Sequence, residues 1–172
     1  RTVDYNAFRD VYRPSHADYT AALKYGKIPP GGGRFSARET VARVVAGTIA
    51  SEVLKTRKIH IQAFVSNIGP IGIDEASLNN IPENVAEMPF ACPDPGAAIK
   101  MGEYLEQIRK EGDSCGGIIH CIAGNVPPGL GDPVFDKLES SLAAAMLSIS
   151  AVKGFDYGSR FAGVPKKESE LN

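Results

Sequence analysis

This chain has little of what usually assigns a protein at a glance. It has no basic excess: 19 Lys and Arg stand against 20 Asp and Glu, for a net charge of −1. A broad nucleic-acid or anionic-membrane surface draws on a basic surplus, so both are disfavoured as its main business. Cysteine is sparse and odd in number: Cys92, Cys115 and Cys121, with no Cys-x-x-Cys pair. Zinc ligation and a disulfide framework are therefore poorly supported, and reduced thiols in an intracellular compartment are the expectation. No apolar run reaches the roughly 20 residues of a membrane-spanning helix. Neither a signal peptide nor an Arg/Ser-rich transit segment is visible, in a chain whose first residue is Arg1 rather than Met. No internal repeat at fixed period is present. What remains is 172 residues, 43% hydrophobic and 23% charged. That is enough for one ordinary domain with its own core.

The pattern along the chain alternates helices and strands. Residues 1–33 show no sustained periodicity beyond a short helical piece around 17–24. Val41, Val44, Val45, Thr48, Ile49 and Val53 recur at helical spacing, which predicts a long amphipathic helix over 37–56. Ser36 and Glu39 form S-x-x-E, a capping box at its start. A strand follows over 58–67, with Ile59, Ile61, Ala63 and Val65 alternating and Phe64 on the other face. Residues 68–94 read as a long, partly ordered connection. Asp94-Pro95 reads as an N-cap with proline in the first turn, and the helix it opens ends at Gly112. A second strand is expected over 115–126. Asp132-Pro133 repeats the cap-plus-proline device before a helix over about 133–149, whose Leu138, Leu142 and Met146 form a packing stripe. A third strand is expected over 152–158 and a polar, mobile tail over 165–172. The rhythm predicts one α/β or α+β domain.

The most informative stretch is GGGRFSARET, Gly31 to Thr40. A flexible glycine triplet leads into a helix start with two arginines. Helix N-termini carry unpaired N–H groups and the positive end of the helix dipole. Arginine adds a planar fork of donors that matches phosphate oxygens. This is the chemistry of an anion site. It is not a P-loop, because no Gly-Lys-Ser/Thr follows the glycines.

YRPSHADYT with KYG, then GGGRFSARET, then SCGGIIHCIAGNVPPGLGDPVFDKLESSLAAAMLSISAVKGF closely resembles the chorismate synthase family. The likeness runs from about Tyr5 to Gly163 and covers the middle of the family's usual length. An N-terminal Ser-His-Gly segment and a C-terminal flavin-contacting segment of the family have no counterpart here. The resemblance implies an α+β fold of the β-α-β sandwich type, present in part as a single partial domain over 1–172. It implies a carbon–oxygen lyase acting on phosphates, at the last step of the shikimate pathway that serves aromatic amino acid biosynthesis. 5-Enolpyruvylshikimate-3-phosphate would lose phosphate and a proton by 1,4-elimination to give chorismate, with reduced flavin mononucleotide (FMN) as cofactor and no net redox change. A homotetramer is implied for the full-length protein, in the cytoplasm, or in the plastid if the source is a plant.

Each candidate residue has a plainer reading beside the functional one. Spacing alone makes His16 a loop histidine. The resemblance makes it the general acid at the flavin, proton work that suits an imidazole. Asp18 could orient that ring or cap the helix that follows. Arg13 is a solvated charge on spacing alone and meets the substrate by resemblance. Arg38 sits in a first helical turn, where a cation opposes the dipole unless an anion is bound; the resemblance makes it a substrate ligand. Arg34 reaches a phosphate or solvates its loop, and Arg43 reads as a helix-surface charge. Ser36 has a sufficient role as N-cap, yet by resemblance Ser36 and Ala37 contact the flavin. Ser150 and Ala151 match a second flavin-contacting pair, where the plainer reading is a helix-to-strand turn. His60 and His120 read as strand histidines and Asn125 as a turn residue. No metal ligand set is expected. Phe35 stands where the family usually has a small residue. The alternative reading is a non-catalytic piece that contributes fold and oligomer contacts without a complete active site.

Overall fold

The computed structural model describes residues 11–27, 30–158, 165–167 and 169. It divides into two compact units, one formed by 1–49 with 127–172 and the other by 50–126. Half of the tail expected over 165–172 lies outside the described residues.

The second unit holds a three-stranded antiparallel sheet in the order β2-β1-β3, from β1 (His60–Ile68), β2 (Ile71–Gly72) and β3 (Gly117–Gly124). A tight turn at Gly69-Pro70 joins β1 to β2. Gly69 has φ +54, and a Cβ there would strike the Tyr104 ring. A bulge interrupts the β1–β3 ladder between Val65 and Asn67, leaving Ser66 as the extra residue. Ser66 is buried, and its hydroxyl donates to Asn67 Oδ1 at 2.9 Å and to the Ile118 carbonyl at 3.3 Å. Helix α3 (Pro95–Glu111) supplies Ala97, Ala98 and Met101 to a core shared with Cys92. Val65, Ile68, Ile71 and Ile73 of the sheet region pack against it. Burial raises the Cys92 thiol's pKa, which makes it a packed residue rather than a reactive one.

The ends of α3 form as the sequence predicts. Asp94 Oδ1 accepts from the Gly96 N–H at 2.8 Å and the Ala97 N–H at 3.0 Å. Gly112 closes the helix in the left-handed region at φ +70. β1 differs from expectation: Phe64 and Ser66 are buried and Val65 packs on the core, whereas Ile61 and Ala63 are exposed. Residues 68–94 are more than a connection. They hold β2, three short 3-10 turns, and the fully buried Val85 and Cys92.

The first unit contains α1 (Asp18–Tyr25), 3-10 turns over Pro30–Phe35 and Ala37–Glu39, and α4 (Leu138–Leu147). Helix α2 (Thr40–Thr56) continues from the second of these turns; its residues 40–49 belong to the first unit and 50–56 to the second. The 37–56 helix therefore stands with a 3-10 first turn. Its stripe Val41, Val44, Val45, Ile49 and Val53 forms, yet each of these is exposed. α4 is shorter than expected. The Asp132 N–H donates to the Asp136 carbonyl at 2.8 Å and closes a turn, so Asp132-Pro133 does not cap the helix. Leu138 and Leu142 are exposed, so the stripe on α4 is not core among the described residues. The strand expected over 152–158 is absent; that stretch is irregular.

Asp94→Ala should cost the second unit about 1 kcal/mol, the usual loss on removing an N-cap. Backbone N–H bonds, first from Ala97, hold the Asp94 carboxyl below its ordinary pKa. The cap's contribution is thus full above the ordinary carboxylate range and lost as pH falls below it. Urea unfolding of both proteins at pH 7 and pH 3 should show the difference shrinking at the lower pH.

Candidate functional site

All eight residues that bear on the site (Arg13, His16, Asp18, Ser36, Ala37, Arg38, Ser150 and Ala151) lie in the first unit. The tightest cluster is built by one turn. The His16 N–H donates to the Arg13 carbonyl at 3.2 Å, with Pro14 and Ser15 between them. Proline suits the first inner position of such a turn, and Ser15 takes the left-handed conformation at φ +59 that the second requires. The turn brings Arg13 and His16 together on the carboxylate that opens α1. Arg13 Nε donates to Asp18 Oδ2 at 2.7 Å and Nη2 donates to Oδ1 at 2.9 Å, a bidentate fork. The Arg13 N–H adds a third bond to Oδ2 at 3.2 Å. His16 Nδ1 lies 2.7 Å from Asp18 Oδ1. Arg13 Nη2 lies 3.1 Å from Nδ1 and 3.2 Å from Nε2 of the same ring.

Asp18 is only 2% exposed, whereas the Arg13 and His16 side chains are 31% and 28% exposed. A buried carboxylate must be paired to stay ionised. The side-chain bond from Arg13 is the largest influence and drives the Asp18 pKa far below the ordinary range, against the opposing effect of burial. The remaining choice between capping and orienting is settled by geometry. Ala17, not Asp18, is the N-cap of α1, and the carboxylate faces Arg13 and His16. An ionised Asp18 only accepts, so the ring presents an Nδ1–H to it. Nε2 is then the ring's second nitrogen, with the Arg13 Nη2 donor 3.2 Å away.

The second group is the start of the Ser36–Thr40 run. Ser36 Oγ accepts from the Arg38 N–H at 3.4 Å, as an N-cap should. The capping box does not close, because the Ser36 N–H is given to the Gly33 carbonyl at 3.0 Å. The Glu39 N–H also stays local, on the Ser36 carbonyl at 3.1 Å. These 3-10 turns occupy backbone donors that the sequence left for an anion, so the charge for one comes from side chains. Arg34 and Arg38 are both exposed, and the Arg38 guanidinium has no partner among the described residues. Phe35 packs on Tyr25 at the end of α1, ring centroids 6.4 Å apart, which gives the unusual bulky residue a packing role.

The third group follows α4. Ser150 is half-buried, and Ala151 is in the left-handed region at φ +70. Sequence reasoning missed a link here: Arg43 Nη2 donates to the Ser148 carbonyl at 3.0 Å and to Ser148 Oγ at 3.1 Å. A helix C-terminus calls for a cation, but no spacing rule names a partner 105 residues away.

The profile of the chorismate synthase family matches residues 1–172. The chain belongs to that family. It is 49% identical over 173 residues to the chorismate synthase of Christiangramia forsetii, covering all of this chain and 48% of that one. It is 51% identical over 173 residues to the chorismate synthase of Flavobacterium psychrophilum, covering 98% of this chain and 47% of that one. A crystal structure of chorismate synthase superposes with a TM-score of 0.77 at 28% identity, over 88% of this chain and 49% of the other. The mixed helix-and-strand architecture is thus the chorismate synthase fold, α+β as expected. The chain spans about half the length of these relatives. Among the described residues of this family member, no group of three or more His, Cys, Asp and Glu is placed to hold a metal.

Asp18→Asn should destabilise the first unit by about 3 kcal/mol, toward the low end for a broken buried pair because Arg13 keeps some solvent. A lowered carboxyl pKa stabilises above its unfolded value, about 3.9, and that stability is lost as pH falls through the folded value. Unfolding free energies measured from pH 6 down to pH 2 should fall less steeply for Asp18→Asn than for the unaltered protein. Parallel curves would remove Asp18 as the acid-sensitive group.

Proposed function

We propose that this chain forms part of a chorismate synthase, a lyase that eliminates phosphate from 5-enolpyruvylshikimate-3-phosphate to give chorismate, using reduced FMN. The observation that carries the reading is the Asp18-held His16 ring, set beside Arg13 by a strained turn. A histidine that merely decorated a loop would not need a buried carboxylate to fix its ring.

In the elimination the allylic C–O bond breaks, its electron pair leaves with phosphate, a proton departs and a new C=C forms. The residues present fit the flavin in the chemistry of their donors. Ser36 and Ser150 are half-buried hydroxyls, each followed by an alanine small enough for a planar ring to approach the backbone. Ser36, Ala37, Ser150 and Ala151 would hold the flavin. When bound, reduced FMN supplies electron density as the C–O bond breaks. His16 holds a proton at Nε2 as general acid, with its Nδ1–H anchored on Asp18. Asp18 keeps the ring oriented and offsets the Arg13 charge beside it. Arg38 offers an exposed guanidinium fork to the substrate's anionic groups. Arg13, whose fork is engaged by Asp18, adds a fixed positive charge beside the ring, which favours an anionic substrate there. The same likeness supports a homotetramer for the longer protein, located in the cytoplasm, or in the plastid of a plant.

The test uses the reading frame that carries this chain. His16→Ala should lower turnover at least about a hundredfold with the fold intact, the usual scale for a general acid. Arg38→Ala should raise KM for the phosphorylated substrate. FMN titration followed by fluorescence should show quenching. Unchanged turnover in His16→Ala would take that residue out of the mechanism, and no quenching at high protein would remove the flavin reading.

A further inference from the structure

Arg43 lies in the first turns of α2, five residues beyond Arg38, and is exposed. Both acceptors of its Nη2 belong to Ser148, the residue that ends α4. Ser148 is itself locked in place. Its N–H donates to the Ala144 carbonyl at 3.2 Å and its hydroxyl donates to the Ala145 carbonyl at 2.6 Å. The guanidinium therefore meets a carbonyl with no acceptor role inside the helix, at the negative end of the α4 dipole.

The turn that follows is weakly self-supporting. The Ile149 N–H reaches the Met146 carbonyl at 3.1 Å and the Val152 N–H reaches the Ile149 carbonyl at 3.3 Å. Ala151 sits at φ +70, a conformation disfavoured for any residue with a Cβ. Something outside the turn must hold it. Arg43 reaches Ser148, the residue from which the turn departs, from the helix whose approach carries Ser36, Ala37 and Arg38.

We propose that Arg43 is a positioning residue, which tethers the turn bearing Ser150 and Ala151 to the start of α2. It thereby sets the spacing between the two Ser-Ala pairs. The inference rests on the reading that those pairs receive the flavin. The tether itself does not.

The experiment compares the unaltered protein, expressed from the reading frame that carries this chain, with Arg43→Ala, Arg43→Lys and Ser148→Ala. Two quantities are read: amide hydrogen exchange over residues 148–152, and FMN affinity by fluorescence quenching. Arg43→Ala should speed exchange in that segment about tenfold while leaving α3 unchanged, as local opening predicts. It should weaken FMN binding about tenfold, the scale of losing a charged hydrogen-bonding group. Arg43→Lys keeps the charge and should fall between, and Ser148→Ala, which loses one of two acceptors, should show a smaller loss. Unchanged exchange in Arg43→Ala overturns the tether. Faster exchange with equal FMN affinity overturns its link to the flavin. If the unaltered protein binds no FMN, the flavin reading falls, and the exchange data still decide the tether. If Arg43→Ala does not fold, Arg43→Lys carries the same decision.

Discussion

A single buried carboxylate organises the candidate site. Asp18 cannot stay charged at 2% exposure unless other groups replace its water. Arg13 replaces most of it with a side-chain fork and a backbone N–H, and His16 supplies the rest. To reach it, the chain must turn tightly at Pro14-Ser15 and accept a left-handed serine. The strain and the charge pairing support each other. The direction of the imidazole follows from both, so ring orientation is a property of the folded turn rather than of the ligand.

The other parts of the site rely on helix ends instead of buried charge. Ser36 begins one helical run and Ser148 ends another. Each is a place where the backbone leaves groups without helical partners. At Ser36 the chain closes most of these groups on itself with 3-10 turns. At Ser148 it recruits a side chain from far along the sequence. The outcome is a surface where exposed arginines, rather than free N–H groups, carry the positive charge.

How much of this could be read in advance depended on the range of the interactions. Asp94-Pro95 and Gly112 marked both ends of α3, because caps are decided within four residues. The same Asp-Pro device failed at Asp132, where the N–H closed a turn onto Asp136. Ser36-x-x-Glu39 worked by half, since Gly33 took the donor that Glu39 was expected to satisfy. For β1 the alternation was visible but not which face would be covered, since that depends on α3 and the 3-10 turns around Val85. His16, Arg13 and Arg38 were named through the three family motifs. In sequence Asp18 has two roles open to it, and only its rotamer distinguishes them. Arg43 looked like surface charge because nothing near it in sequence shares its contact.

The uncovered valines of α2 have a bearing on handling. Val41, Val44, Val45, Ile49 and Val53 form an oily strip along one helix, each more than half exposed. The chain carries almost no net charge to keep copies apart, with an isoelectric point near 6.4. Molecules with an apolar strip and weak mutual repulsion cluster most readily where that repulsion vanishes. Self-repulsion between copies is therefore weakest in mildly acidic buffer, near the isoelectric point, and grows as the medium becomes more alkaline.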